Sequence, residues 1–333
     1  MNRRPRLLAP AAAGVGAALL LAGCAQLPTA TAPAATGREP LAVQPVQAGR
    51  VVEAANAVLR AGADPATADP AALAARVGGP ELRLRTAAHT IAAAGATPPP
   101  TGGADELEAI ASVLPRQSGF PRWFATVTAP GPDQAPSLVV LRTASAREPY
   151  AVWATPTLLP GASLPTLAAP ADGVAVVAAD EDTNLPLAPQ VLAEHYADVL
   201  TEGTASEHAA EFTADAYRSG VESATAAERA ALAAAGGTYA QERSLLPDGV
   251  LAVRTRDGGA LVVAAYSWSA TVAGPTGGLA GRLDPALAAL AGTTDALSAT
   301  VTREEVVVFA VPPGSGQVAA VAAQSGPVSV AVD

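Results

Sequence analysis

The chain has 333 residues, half of them hydrophobic but only 4% aromatic, and its 20 basic residues, all arginine, face 30 acids for a net charge of −10. The absence of lysine excludes Schiff-base, Ser-Lys and P-loop chemistry, and the acidic balance argues against nucleic acid as a partner and against attraction to anionic head groups. With one cysteine no disulfide can form within the chain, so burial alone must hold the fold.

Residues 1–23 read as a lipoprotein signal peptide. Arg3, Arg4 and Arg6 form a cationic start, Leu7 to Leu21 an apolar middle, and the small residues Ala22 and Gly23 let a peptidase reach the bond before Cys24. The run is shorter than the roughly 20 residues a spanning helix needs and is broken by Pro10. Leu21, Ala22, Gly23 and Cys24 together resemble a bacterial lipobox, in which a diacylglyceryl group is attached to the cysteine sulfur. That resemblance implies a membrane partner reached through the lipid on Cys24 and a place on the extracytoplasmic face of the cell membrane. Arg3 and Arg4 form a twin-arginine pair, but Pro5 and Arg6 stand where that export signal would continue with hydrophobic residues, so the general export pathway is expected. Each buried methylene contributes about 0.8 kcal/mol, so two or three acyl chains suffice for firm anchoring. Loss of the leader leaves 17 arginines against 30 acids, a net charge near −13.

Residues 24–49, rich in Pro, Ala and Thr and without a sustained period, are expected to form a tether that lifts the folded body off the membrane. The body is expected to use one α+β plan twice, in a first unit at 50–180 and a second at 189–333, with an acidic linker at 181–188. In the first, Val51, Val52, Ala55, Val58 and Leu59 fall on one helical stripe, and Asp69-Pro70 and Gly79-Pro80 open two further helices. Short β-prone runs come next, at Trp123–Thr128, Leu138–Thr143 and Tyr150–Thr155.

In the second unit Val191, Leu192, Tyr196, Val199 and Leu200 form a matching stripe behind Pro189. A helix is expected over 212–221, and another from a capping box at Thr225 and Glu228 to a stop at Gly236-Gly237. Val250–Arg256, the turn Asp257-Gly258-Gly259 and Ala260–Trp268 predict a half-buried antiparallel hairpin, with Leu251 and Val253 inward and Arg254 and Arg256 outward. Strands at 306–311, 318–323 and 328–332 complete the unit. Helices first and strands afterwards argue for α+β and against an alternating parallel sheet.

The stretches GFPRWFATVT, LVVLRTASAREPYAVWATPTLLPGASLP and RTRDGGALVVAAYSW resemble the uncharacterised actinobacterial lipoproteins that carry a tandem α+β body. The likeness covers most of the chain after the tether. It implies a cystatin-like or nuclear-transport-factor-like unit, helices packed into a curved antiparallel sheet, present twice. It carries no activity onto particular residues.

Catalytic signatures are absent. No G-x-S-x-G elbow occurs, and Ser315 and Ser325 lack the strand-to-helix context of one. Asp180, Asp182 and Asn184 match the start of a calcium loop, but Leu185 and Val191 stand where it needs glycine and glutamate. The three histidines are spread over helical segments: His195 lies on the apolar stripe and His208 pairs with Glu211 at i, i+3. No catalytic residue, cofactor or metal site is therefore expected. The large rings are the remaining candidates for a ligand site, namely Trp123, Tyr150 and Trp153 in the first sheet and Tyr266 and Trp268 in the second, although an aromatic-poor core also needs them as filling. The expected function is a non-catalytic binding or accessory role in the cell envelope, toward a protein or a small molecule. The alternatives are an extracytoplasmic enzyme using paired carboxylates in a sheet-lined cavity, and a structural spacer.

Overall fold

A computed structural model describes residues 38–64, 69–100, 106–129, 135–275 and 281–333. Cys24, its lipobox and the start of the tether lie outside the described residues, and 40–49, expected as tether, belongs instead to the folded body, with Val43 and Ala48 buried and a helix starting at Pro45. The fold is α+β, as the order of elements predicted, and Pro40–Asp333 form one compact unit.

The first half contains α1 (Pro45–Ala61), α2 (Pro70–Leu73), α3 (Gly79–Ala93) and strands β1 (Ala109–Val113), β2 (Pro115–Arg116), β3 (Arg122–Thr128), β4 (Leu138–Thr143), β5 (Ala151–Ala154), β6 (Thr157–Leu158) and β7 (Val174–Ala175). Proline in the first turn opens all three helices, where its missing N–H costs nothing. The Asp69 carboxylate caps α2 by accepting from the Ala71 amide at 2.9 Å. Strands β1, β3, β4 and β5 form an antiparallel sheet in that order, and β2 pairs with β7 in parallel.

The second half contains α4 (Pro189–Glu202), α5 (Ala216–Ala234), β8 (Thr238–Arg254), β9 (Ala260–Ala273), β10 (Gly281–Arg282), α6 (Pro285–Ala291), β11 (Asp295–Ala296), β12 (Ser298–Val311) and β13 (Ala319–Val332). Its main sheet runs β6-β13-β12-β9-β8, so β6, contributed by the first half, closes one edge.

Strict alternation along the strands builds a layered molecule. Phe124, Val139, Leu141 and Val152 face outward onto Val52, Ala55 and Leu59 of α1. Trp123, Leu138, Val140 and Trp153, one position removed, face Leu261, Val263, Val306 and Val308 of the second sheet. The other face of that sheet, with Val262, Ala264, Tyr266 and Phe309, packs against Leu192, Tyr196 and Val199 of α4. The order is helix, sheet, sheet, helix. Residues 181–188, expected to link two units, thus mark a change of layer within one body, and the inner core draws on both halves.

Several expectations need correction. The hairpin β8–β9 is not half-buried: Ala260 to Tyr266 are buried without interruption, because α4 covers the face that alternation assigned to solvent while the first sheet covers the Leu251 and Val253 face. Arg254 is not simply solvated either, since its Nη2 reaches Glu181 Oε1 at 2.5 Å. The helix expected over 212–221 does not form as such. Phe212 is extended and bridges Val318, the Asp215 carboxylate accepts from the Arg218 amide at 2.7 Å, and α5 then runs unbroken through Thr225 and Glu228. The two runs at 318–323 and 328–332 are one strand, β13, whose Pro327 is tolerated because β6 covers only Ala322 and Ala323 of its outer edge. Strand β8 begins twelve residues before Val250, and an irregularity between Leu245 and Val250 places Asp248 at φ +51°.

Candidate functional site

The five aromatics singled out by sequence do not share a pocket. Trp123 and Trp153 are buried between the sheets. Tyr150 packs edge-on against Phe124, with ring centroids 5.2 Å apart, and donates to the Ala42 carbonyl at 3.0 Å under α1. Tyr266 points to the opposite outer layer and donates to the Ala193 carbonyl at 3.0 Å. Trp268 lies between two guanidinium groups, with Arg243 Cζ 4.3 Å and Arg303 Cζ 4.8 Å from its ring. The space in which a lining role was expected is filled by side chains of the three cores.

Three of these rings do border open hollows, Trp268 on one of about 390 Å³ beside Glu228 and Arg303. A groove of about 520 Å³ runs between the halves, with Trp123, Arg142, Gln190, Asp248 and Leu251 on its walls. Arg142 Nη1 donates to the Asp248 carbonyl at 2.9 Å, its Nη2 lies 3.8 Å from the Asp248 carboxylate, and its Cζ sits 5.7 Å from the Trp153 ring. Burial lowers the pKa of this guanidinium from its ordinary value, against the opposing field of Asp248. A neighbouring hollow of about 440 Å³ takes in Trp153, Phe120, Glu148 and Asp248 around the same arginine. The bulge in β8 made both possible: it turns Asp248 back toward the first sheet.

Behind Trp268, Arg243 and Glu305 form an ion pair at 2.9 Å with both side chains fully buried. The Tyr217 hydroxyl donates to Glu305 Oε1 at 2.7 Å, and Arg243 also donates to the Leu200 carbonyl at 2.9 Å. Burial, first, and the Glu305 charge, second, drive the Tyr217 phenol well above its ordinary pKa. These strong partners are arranged to hold β8, β12, α4 and α5 together.

The convergence that sequence reasoning missed lies at the C-terminal side of α4. His195 Nδ1 is 2.7 Å from Glu211 Oε2, and His208 Nδ1 is 3.3 Å from Glu211 Oε1. The imidazole rings are stacked, 3.5 Å between centroids and 15° from parallel. His89, by contrast, is buried in α3 and takes no part in this group. The spacing of His208 and Glu211 was visible in the sequence. The return of the chain onto His195 was not, because it depends on the reversal at Gly203, φ +62°, and on two short 3₁₀ turns at Gly203–Ala205 and Ala209–Glu211.

Around this group the scaffold is tightly pinned. The Ser206 hydroxyl donates to Asp198 Oδ2 at 2.5 Å and accepts from the His208 amide at 3.1 Å. The Val318 amide donates to the Glu211 carbonyl at 2.9 Å, and Gln317 Nε2 donates to the carbonyls of Ala210 at 2.9 Å and Phe212 at 3.2 Å.

No curated protein and no solved structure matches the chain. A family model does match, over residues 42–330, which is nearly the whole layered body, from the entry to α1 to Val330 near the end of β13. The chain therefore belongs to the family described as Domain of unknown function (DUF8094).

Proposed function

We propose that the protein is a lipid-anchored binding or accessory protein on the extracytoplasmic face of the cell membrane. The observation that carries this reading is the placement of the only cysteine, Cys24, directly after Leu21-Ala22-Gly23 at the end of an arginine-tipped apolar run. The remainder of the chain fits a body held by lipid: a Pro/Ala/Thr-rich tether, then a compact unit from Pro40. Among the described residues no helix is long and apolar enough to cross a membrane.

Binding is favoured over carboxylate catalysis by the nature of the groove. It is open, it pairs an indole with a guanidinium, and the acid on its wall, Asp248, is engaged by Arg142. Such a surface suits recognition of an envelope protein or a small molecule by stacking and charge. Substitution Cys24→Ala tests the anchor: the protein should leave the membrane fraction or accumulate with its leader attached. Unchanged lipid labelling of that variant would refute the assignment. For the ligand, native mass spectrometry of the wild-type protein should show a bound mass that Trp123→Ala diminishes.

A further inference from the structure

Among the described residues, His195, His208 and Glu211 are the group whose side chains could together hold a metal ion. Each offers one donor atom, and the three atoms lie within 4.8 Å of one another. A zinc ion with bonds of about 2.0–2.1 Å in tetrahedral geometry holds its ligand atoms roughly 3.3 Å apart. His195 Nδ1 lies 2.7 Å from Glu211 Oε2 and His208 Nδ1 3.3 Å from Glu211 Oε1, and the two stacked rings must tilt apart for both nitrogens to aim at one ion.

We propose that His195, His208 and Glu211 bind a divalent transition-metal ion of zinc's class through two imidazole nitrogens and one carboxylate oxygen. The donor set decides the class: calcium and magnesium take oxygen ligands, whereas imidazole suits zinc and its neighbours. Three protein ligands leave a fourth position for water or a donor group of a partner, the pattern of exchanging sites and not of closed structural ones. Access fits this, since the three side chains are 24%, 25% and 33% exposed. Pre-organisation fits it too: α4 fixes His195, the Ser206–Asp198 bond fixes the backbone of His208, and Val318 with Gln317 fixes the Glu211 turn. The net negative charge of the chain favours a cation at its surface. A hydrogen-bonded trio holding only protons is the competing account.

The test uses the full chain carrying Cys24→Ser, so that no thiol competes, purified metal-free in detergent and titrated with zinc chloride against a chromophoric chelator. One zinc per chain is expected. His195→Ala and Glu211→Gln should each weaken binding at least about tenfold, while His89→Ala leaves it unchanged. Histidine ring nitrogen NMR of the unsubstituted histidines gives a second reading that no folding defect can mimic: zinc should shift two of the three rings and leave His89 in place. Failure to bind zinc stoichiometrically, binding undiminished in His195→Ala, or shifts confined to His89 would each overturn the proposal.

Discussion

Glu81 and Gln324, 243 residues apart, are joined by a hydrogen bond of 2.5 Å from the Gln324 side-chain amide to Glu81 Oε2. The same carboxylate accepts from the Thr155 hydroxyl at 3.0 Å and from Arg85 Nε at 2.7 Å, while Gln324 Oε1 accepts from the Thr155 amide at 2.7 Å. One buried network therefore ties α3 of the first half to β13 of the second. Unfolding should follow as a single event. In urea, tryptophan fluorescence and far-UV circular dichroism should trace coincident transitions, and two separated transitions would show that the halves are independent. Gln324→Leu, which strips Glu81 of a donor and the Thr155 amide of its acceptor, should cost about 1–3 kcal/mol in the same assay.

The Arg243–Glu305 pair makes a sharper energetic prediction. Removing one partner leaves a buried charge alone, so Arg243→Met or Glu305→Leu should each cost about 3–5 kcal/mol. The double substitution should recover a large part of that loss, since two apolar side chains need no partners. Urea denaturation of all four chains measures the cycle. Additive losses would mean that the pair is not the coupled unit its geometry describes.

Acid titration should separate two carboxylates of opposite sign. Burial holds Asp215 above its ordinary pKa, outweighing the hydrogen bonds from the Arg218 amide and Tyr196. The folded state then binds its proton more tightly than the unfolded chain. Stability from this group is complete below about pH 3.9 and is lost as pH rises through the raised value. Asp215→Asn keeps the helix cap and removes the ionisation, so its stability relative to wild type should climb across that window. Glu181 behaves in the reverse sense. Its hydrogen bond from Arg254 lowers its pKa, so its contribution is present above about pH 4.3 and lost as pH falls through the lowered value. Glu181→Gln should flatten that acid-side loss. Urea midpoints measured across the acid range check both signs.

Gly79 opens α3 at φ +58°, and a Cβ there would run into the Trp153 indole. Gly79→Ala combines backbone strain with a clash against a ring buried between the sheets. It should cost about 2–4 kcal/mol in thermal or urea unfolding. Gly95, also at positive φ but with nothing near its missing Cβ, serves as the control, and Gly95→Ala should cost clearly less.

Much of this architecture was readable along the chain because its local rules agree with the final packing. Pro189 at a first turn and the Asp257-Gly258-Gly259 turn report local geometry and stand in the structure, as does the stripe of Leu192, Tyr196, Val199 and Leu200, although Val191, read as its first member, is exposed. What escaped were the relations set by tertiary contact. Leu261 and Val263 alternate with Val262 and Ala264 in a run that reads equally as one covered face or two, and only the packing of the first sheet on one side and α4 on the other decides for two. The capping-box pattern at Thr225 and Glu228 is a true local signal overruled by continuation of α5 from the stronger cap at Asp215. The site residues divide the same way. His208 and Glu211 are neighbours in sequence, but His195 joins them only after the chain has turned back over α4.

The most direct measurement of the central claim is the intact mass of the N-terminal peptide of protein recovered from host membranes. The account predicts a chain beginning at Cys24 and heavier by a diacylglyceryl group with its fatty acids. A bare Cys24 thiol, or a chain still carrying residues 1–23, would contradict it.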